Sequence, residues 1–308
     1  MKPSPFESAS SLLPLFLRGI VNTMPEGEKD GVEEIRLRAQ RPLTVTTQEG
    51  PRTLPISKPY IIQPRDIDAV LESASAGSVH TVLDQLRAGF VTVRGGHRLG
   101  VSGSVAMQNG AVKSIRHLSS LCLRIAKAMP HVSAPLWPGL TGSRGLHNVL
   151  ILSPPGLGKT TLLRDLVRTL SDGGGAVPSH RVALADERGE VAALYLGVPQ
   201  MDVGAHTDVL DGCPKAKALS WLVRALSPQV MALDEITAPE DIAAMETVRN
   251  CGVALLATCH GSGWDDIVSR PLYRELPHIF DRGVVISRQG QERRYQWIDM
   301  KTGGEISC

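Results

Sequence analysis

Ser153-Pro154-Pro155-Gly156-Leu157-Gly158-Lys159-Thr160-Thr161 follows directly on the apolar run Val149-Leu150-Ile151-Leu152 and opens a stretch, Thr161 to Leu170, with apolar residues at helical spacing. A strand, a glycine-bearing turn and a helix in that order make an anion cradle. Phosphoryl oxygens need convergent backbone N–H donors, glycines that let the backbone come close, and a cation. The amides of Gly156, Leu157, Gly158, Lys159, Thr160 and Thr161 fill the first need, and Lys159 is placed to meet the β- and γ-phosphates of a nucleotide. Thr160 offers a hydroxyl to Mg²⁺. The general pattern asks for Gly where Ser153 stands, which is a departure.

Working outward, the same half of the chain repeats the alternation of short apolar runs and helical patterns. Val182 to Ala185, Val230 to Leu233, Val253 to Ala257 and Val284 to Ile286 are apolar on both faces, as buried parallel strands are. Ala216 to Leu226 and Glu240 to Asn250 carry helical spacing, and Thr237 with Glu240 reads as a capping box. An α/β sheet follows. Its strands end in polar clusters. Leu233 is followed by Asp234-Glu235, the pair expected to order the metal's water shell (Asp234) and to polarise an attacking water (Glu235). Asp186-Glu187-Arg188-Gly189-Glu190 and Thr258-Cys259-His260-Gly261 end two more, so all the clusters fall at the carboxyl edge where α/β sheets bind ligands. His260 is a candidate sensor of the γ-phosphate. Cys259-His260 has no further ligands at metal-site spacing and is not read as a metal pair.

The first half reads differently. Residues 1–30 are rich in Ser, Pro, Gly and Glu around one short apolar patch and are expected as a flexible lead-in with a single amphipathic turn or two. Val32 to Arg38 and Pro42 to Val45 alternate as strands. Ile67, Val70, Leu71 and Ala74, then Val79, Val82, Leu83 and Leu86, recur at helical spacing, and strands return from Gly89 to Val93, His97 to Val105 and Lys113 to Ala126 around Asn109-Gly110. A small α+β domain over 31–130, a Pro- and Gly-rich linker over 131–145, and the phosphate-loop domain over 146–308 are the expected organisation.

Composition sets bounds on all this. The 308 residues carry 33 Lys+Arg against 31 Asp+Glu, a net charge of +2, and only 4% aromatic residues, which argues against a backbone-dominated or base-stacking nucleic-acid binder. A 42% hydrophobic and 21% charged chain can fill a core. Five scattered cysteines without a C-x-x-C pair indicate neither a disulfide framework nor structural zinc, so a reducing, cytoplasmic setting is expected. No run reaches the roughly 18 apolar residues of a spanning helix, so any membrane contact is expected to come through a partner.

The order of phosphate loop, acidic box, Asp-Glu strand and His box resembles the secretion ATPases of type II and type IV pilus machines and type IV secretion. Leu219 to Leu226 with Arg224, then Ser227 to Val230, is similar to their stretch before the second motif, and Val32 to Arg38 is similar to the opening of their N-terminal domain. More closely, Gly95 to Arg98, Asp186 to Arg188, Asp202 to Gly204, Thr207 to Asp211 and Cys213 to Lys215 resemble the stage III sporulation protein AA family. The resemblance implies an α/β, RecA-like P-loop NTPase core of the AAA+ kind, binding ATP and Mg²⁺, in a cytoplasmic hexamer. That hexamer would work with membrane proteins of the channel between mother cell and forespore. It implies nucleotide contacts from Gly156, Gly158, Lys159, Thr160 and Thr161, metal and water roles for Asp234 and Glu235, a sensor role for His260 and geometric support from Glu187. Arg224, Arg188, Arg98 and Arg116 are the candidates for an arginine that stabilises transition-state charge. Two other classes compete: a nucleic-acid-dependent P-loop ATPase, disfavoured by the lack of a basic domain after Val284, and a nucleotide-binding scaffold without turnover.

Overall fold

The computed structural model describes residues 3–54, 58–75, 83–87, 89–143, 145–174, 177–290 and 292–306. They fall into two compact units, Met1–Lys127 with Ala193–Gln200, and Ala128–Ala192 with Met201–Cys308.

The first unit opens with three short helices, α1 (Pro5–Ser10), α2 (Leu15–Val21) and α3 (Glu26–Lys29). The segment expected as a lead-in is therefore folded. Phe6, Ala9, Leu13, Leu17 and Val21 recur at three and four and are buried, and Ser4 and Glu7 cap α1 reciprocally around Pro5. Next come β1 (Glu34–Arg38), β2 (Thr44–Thr47), β3 (Gly50–Thr53), α4 (Pro64–Ala74), α5 (Leu83–Arg87), β4 (Phe90–Thr92), β5 (Arg98–Gln108) and β6 (Ala111–Arg124). The strands form one antiparallel sheet in the order β3-β2-β1-β6-β5-β4. Ile35, Leu37, Leu99, Leu121 and Leu123 alternate inward onto Ile67 and Val70 of α4. The expected second helical stretch is seen only as α5; Val79 and Val82 lie outside the described residues.

The second unit contains β7 (Thr141–Gly142), β8 (Gly145–Leu146), β9 (Val149–Ser153), α6 (Lys159–Asp172) and β10 (Val182–Asp186). The hairpin β11 (Leu194–Tyr195) and β12 (Val198–Pro199), which clusters with the first unit, interrupts it. There follow β13 (Thr207–Asp211), α7 (Lys215–Leu226), β14 (Val230–Leu233), α8 (Pro239–Asn250), β15 (Ala254–His260), α9 (Trp264–Ser269), α10 (Leu276–Ile279), β16 (Arg282–Gln289), β17 (Glu292–Asp299) and β18 (Glu305–Ile306). The sheet runs β13-β10-β14-β15-β9-β16-β17-β18, parallel from β13 to β16 and antiparallel beyond. All residues of β9, β10 and β14 are buried, as strands covered on both faces must be.

Alternation assigns the faces. Leu150, Leu152, Ala183, Ala185, Met231, Leu233, Leu255, Ala257 and Cys259 pack with Leu219, Leu222, Met245 and Val248 of α7 and α8. The even-numbered residues of β10, β14 and β15 therefore look the other way, toward the face that α6 covers with Leu162, Leu163 and Leu166. The expected capping box at Thr237 and Glu240 is not the one formed. Pro239 takes the first helical position, Ala238 is the cap residue, and Asp241, two residues further into the helix, accepts from the N–H groups of Thr237 and Ala238, both at 3.1 Å. The stretch expected as linker carries a 3₁₀ helix, Ala134–Gly139, and β7.

Candidate functional site

Only two positions of the loop after β9 need left-handed backbone, and both are glycine: Gly156 at φ +78° and Gly158 at φ +94°. Ser153 is still in strand β9, where a side chain costs nothing, and its hydroxyl donates to the Pro154 carbonyl at 2.8 Å. This is why the departure from Gly at that position is tolerated. Gly158 caps α6, so Leu157, Gly158, Lys159, Thr160 and Thr161 sit at the helix start with its unpaired amides. The guanidinium of Arg293, on β17, lies against Gly158, where an added Cβ would approach its Cζ to 3.0 Å.

Lys159 is 7% exposed. Its Nζ donates to the carbonyls of Ser153 (3.1 Å) and Pro154 (3.4 Å) and lies 2.9 Å from His260 Nδ1. Burial pushes this ammonium below its ordinary range, against the pull of Glu235 and Asp234. His260 Nε2 lies 2.9 Å from Glu235 Oε1. A charged ammonium must donate, so Nδ1 accepts; Nε2 then carries the ring proton and donates to Glu235. Glu235 Oε2 faces Arg188 Nη1 at 3.8 Å.

Asp234 meets the helix start from the next strand but one. Thr160 Oγ1 donates to its Oδ2 at 3.3 Å. Thr258 Oγ1 donates to its Oδ1 at 3.0 Å and accepts from the Glu235 N–H at 3.0 Å, so one hydroxyl orients both acidic residues. Thr258 and His260 on β15, and Asp234 one residue past the end of β14, keep the even-numbered phase that faces α6. Cys259, one residue out of phase, is buried in the opposite core, and burial pushes its thiol up to about 12. Among the described residues no group of three His, Cys, Asp or Glu side chains is arranged to hold a metal.

The fold thus gathers Lys159, Thr160, Asp234, Glu235, His260 and Arg188 at the carboxyl ends of β9, β14, β15 and β10. Two further candidates of this unit, Glu187 and Arg224, have partners of their own. Glu187 turns its carboxylate to Lys215 at the start of α7. Arg224 is exposed in the last turn of α7, its Nε donating to the Ser220 carbonyl at 3.0 Å. Arg98 and Arg116 belong to the sheet of the first unit, where Arg98 lies over the Phe90 ring at 3.5 Å from its centroid and Arg116 is exposed on β6. Thr258 was read only as a member of the polar cluster ending its strand, with no role of its own, although its place two residues before His260 on a strand was signal enough.

The family model described as sporulation stage III, protein AA, matches residues 7–306 of this chain. Stage III sporulation protein AA of Bacillus subtilis (strain 168) is 37% identical over 300 residues, 97% of this chain and 96% of that protein. Among solved structures, the ATPase DotB of Legionella pneumophila superposes with a TM-score of 0.58 at 13% identity, over 94% of this chain and 82% of that one. The pilus retraction motor PilT, solved with bound ADP, gives a TM-score of 0.59 at 16% identity over 92% and 80%. At such identities the likeness is one of fold, and that fold is the RecA-like P-loop architecture of secretion ATPases.

Proposed function

This chain belongs to the sporulation stage III, protein AA, family, and on that premise we propose that it is a Mg²⁺-dependent ATPase powering assembly of, or transport through, the channel between mother cell and forespore. The observation that carries the reading is the single hydrogen-bonded cluster joining Lys159, Thr160, Asp234, Glu235 and His260.

The residues suit the nucleotide and its metal. Among the described residues the buried ammonium of Lys159 has only neutral acceptors in hydrogen-bond reach, which suits it to an incoming anion. Thr160 and Asp234 present one hydroxyl and one carboxylate, too few to hold Mg²⁺ alone but enough for a cation that arrives with phosphate oxygens. When bound, the metal neutralises charge on those oxygens. Lys159 exchanges its carbonyl partners for a phosphoryl oxygen, and Thr160 would offer its hydroxyl oxygen to the metal, beside Asp234. His260, released at Nδ1, keeps Glu235 oriented through Nε2–H. Glu235 then holds a water and accepts its proton.

The working form is taken to be a cytoplasmic homo-hexamer that reaches the membrane through partner proteins; none of the described helices is long and apolar enough to cross a bilayer itself. The test is phosphate release by the full chain with Mg²⁺ and ATP. Lys159→Ala is expected to lose turnover by about 100-fold or more with an unchanged melting curve, and Glu235→Gln to bind ATP without hydrolysing it. Undiminished turnover in Lys159→Ala removes the assigned site, and rapid hydrolysis by Glu235→Gln removes Glu235 from the role of base. Mass measurement with a non-hydrolysable nucleotide tests the ring, which a persistent monomer would exclude.

A further inference from the structure

Two charges, Asp186 buried and Arg164 half-buried, stand beside the site outside the hydrogen-bonded cluster just described. Asp186 ends β10 and is fully buried. Its carboxylate accepts the N–H groups of Glu190 (2.9 Å), Val191 (3.1 and 3.2 Å to its two oxygens) and Ala192 (2.9 Å). Arg164, one turn beyond Thr160 on α6, approaches the same segment from the helix. Its Nε donates to the Val191 carbonyl and its Nη2 to the Glu190 carbonyl, both at 2.6 Å. The donors and the acceptors of one dipeptide, Glu190-Val191, are thus held by a carboxylate and a guanidinium respectively.

Withdrawing these two charges from water is unfavourable. Burial pushes the Asp186 carboxyl up and the Arg164 guanidinium down, each against the pull of its partners. Well-packed apolar side chains commonly serve stability as well as a buried charge pair does. What they do not supply is direction, because only a fork and a carboxylate fix both edges of a backbone. The turn between the fixed points, Glu187-Arg188-Gly189, closes on itself through Gly189 N–H to the Asp186 carbonyl at 3.0 Å, with Gly189 at φ +61°. It carries Arg188 to the Glu235 oxygen opposite the one that His260 holds.

The structure assigns Arg164 and Asp186 as positioning residues: they register the Glu187–Gly189 turn on the phosphate-loop helix, so that Arg188 supports the Glu235 carboxylate from its second side. This rests on Glu235 being the group that orients water. Because Arg164 and Thr160 share one helix, the cradle and the turn are referred to the same element. A merely stabilising pair would show in melting; a positioning pair shows in the rate constant.

The experiment is steady-state ATP hydrolysis by the full chain carrying Arg164→Lys or Asp186→Asn, alone and combined with Arg188→Ala. Lysine keeps the charge but not the fork, and asparagine keeps the shape but not the second acceptor. Each is expected to lower kcat about tenfold or more with KM for ATP within about twofold, the pattern of an interaction that matters only in the transition state. Since the pair acts through Arg188, each double variant is expected to match its worse single rather than the product of both losses. Wild-type kcat in Arg164→Lys, or losses that multiply, overturns the assignment. Should both substitutions unfold the chain, Gly189→Val moves the turn directly, and wild-type kcat there overturns it equally. Lys159→Ala in the same preparations separates the outcomes: its inactivity beside an unaffected Arg164→Lys rejects the positioning pair alone, whereas its full activity rejects the site.

Discussion

His260 stands between an ammonium and a carboxylate and can satisfy both only as the neutral ring with its proton on Nε2. His260→Ala is expected to leave nucleotide binding within a few fold and to lower kcat by about 100-fold, because Glu235 loses its orienting partner; equal losses in binding and rate would mean that His260 shapes the cradle instead. Asp165, on α6, makes a different kind of contribution. Burial raises its pKa, but the hydroxyl and N–H of Ser133, Arg168 and the His131 N–H outweigh burial, and the carboxyl ends below its ordinary range. A depressed carboxylate adds stability above its unfolded-state value and loses it as pH falls through the folded value. Asp165→Asn is expected to cost about 2–4 kcal/mol at neutral pH, a gap that urea melts should show narrowing in acid; a gap that does not change with pH would assign the effect to packing. At this scale the side chains that the fold gathers were legible as candidates, because Lys159, Asp234 and His260 each end a recognisable strand or open a helix. Arg164 and Asp165 were not, since a charge inside a helical pattern reads as solvated until its partners are seen.

Among the elements, α6 concentrates most of the demands. Its first residue carries the cation, its cap glycine the left-handed turn, and its later turns hold the backbone of Glu190-Val191 and the N–H groups of His131 and Ser133. Gly158→Ala imposes a left-handed alanine, worth about 1–2 kcal/mol, and sets a methyl 3.0 Å from the Arg293 guanidinium. Calorimetric titration with ADP should show binding lost while the melting point drops only a few degrees; retained affinity would place the phosphates elsewhere. For α8, Asp241→Ala should cost about 1 kcal/mol through the lost cap, where Glu240→Ala should cost almost nothing. The buried strands and the long helices were readable from sequence because continuous apolar runs and 3.6-residue spacing leave little choice of partner face. The capping residue of α8 was misread because Pro239, not Thr237, fixes where the helix starts. Of the three helices over Pro5–Lys29 the sequence suggested only an amphipathic turn or two, because turn-forming residues are interleaved with the apolar ones that they bury.

Taken as a whole molecule, the chain builds two cores rather than one. One collects Phe6, Ile35, Ile67, Leu99 and Leu123, the other Leu152, Leu219, Leu233, Met245 and Phe280, and no residue is shared. The change falls between Lys127 and Ala128, and Ala193–Gln200 returns to the first unit, where the Gly95 N–H donates to Gln200 Oε1 at 2.8 Å. No local period encodes that return, since pairing across so long a stretch is decided by tertiary packing. Separate cores lose their cooperativity separately, so scanning calorimetry of the full chain is expected to resolve two transitions. A ligand that binds one native unit stabilises that unit alone, by about 2.7 kcal/mol at a hundredfold excess over its Kd. Non-hydrolysable ATP with Mg²⁺ should therefore move one transition upward, the one that Gly158→Ala lowers, and leave the other in place. If both move together, binding energy is shared between the units, and the nucleotide must be held by residues of the first as well as by the phosphate loop.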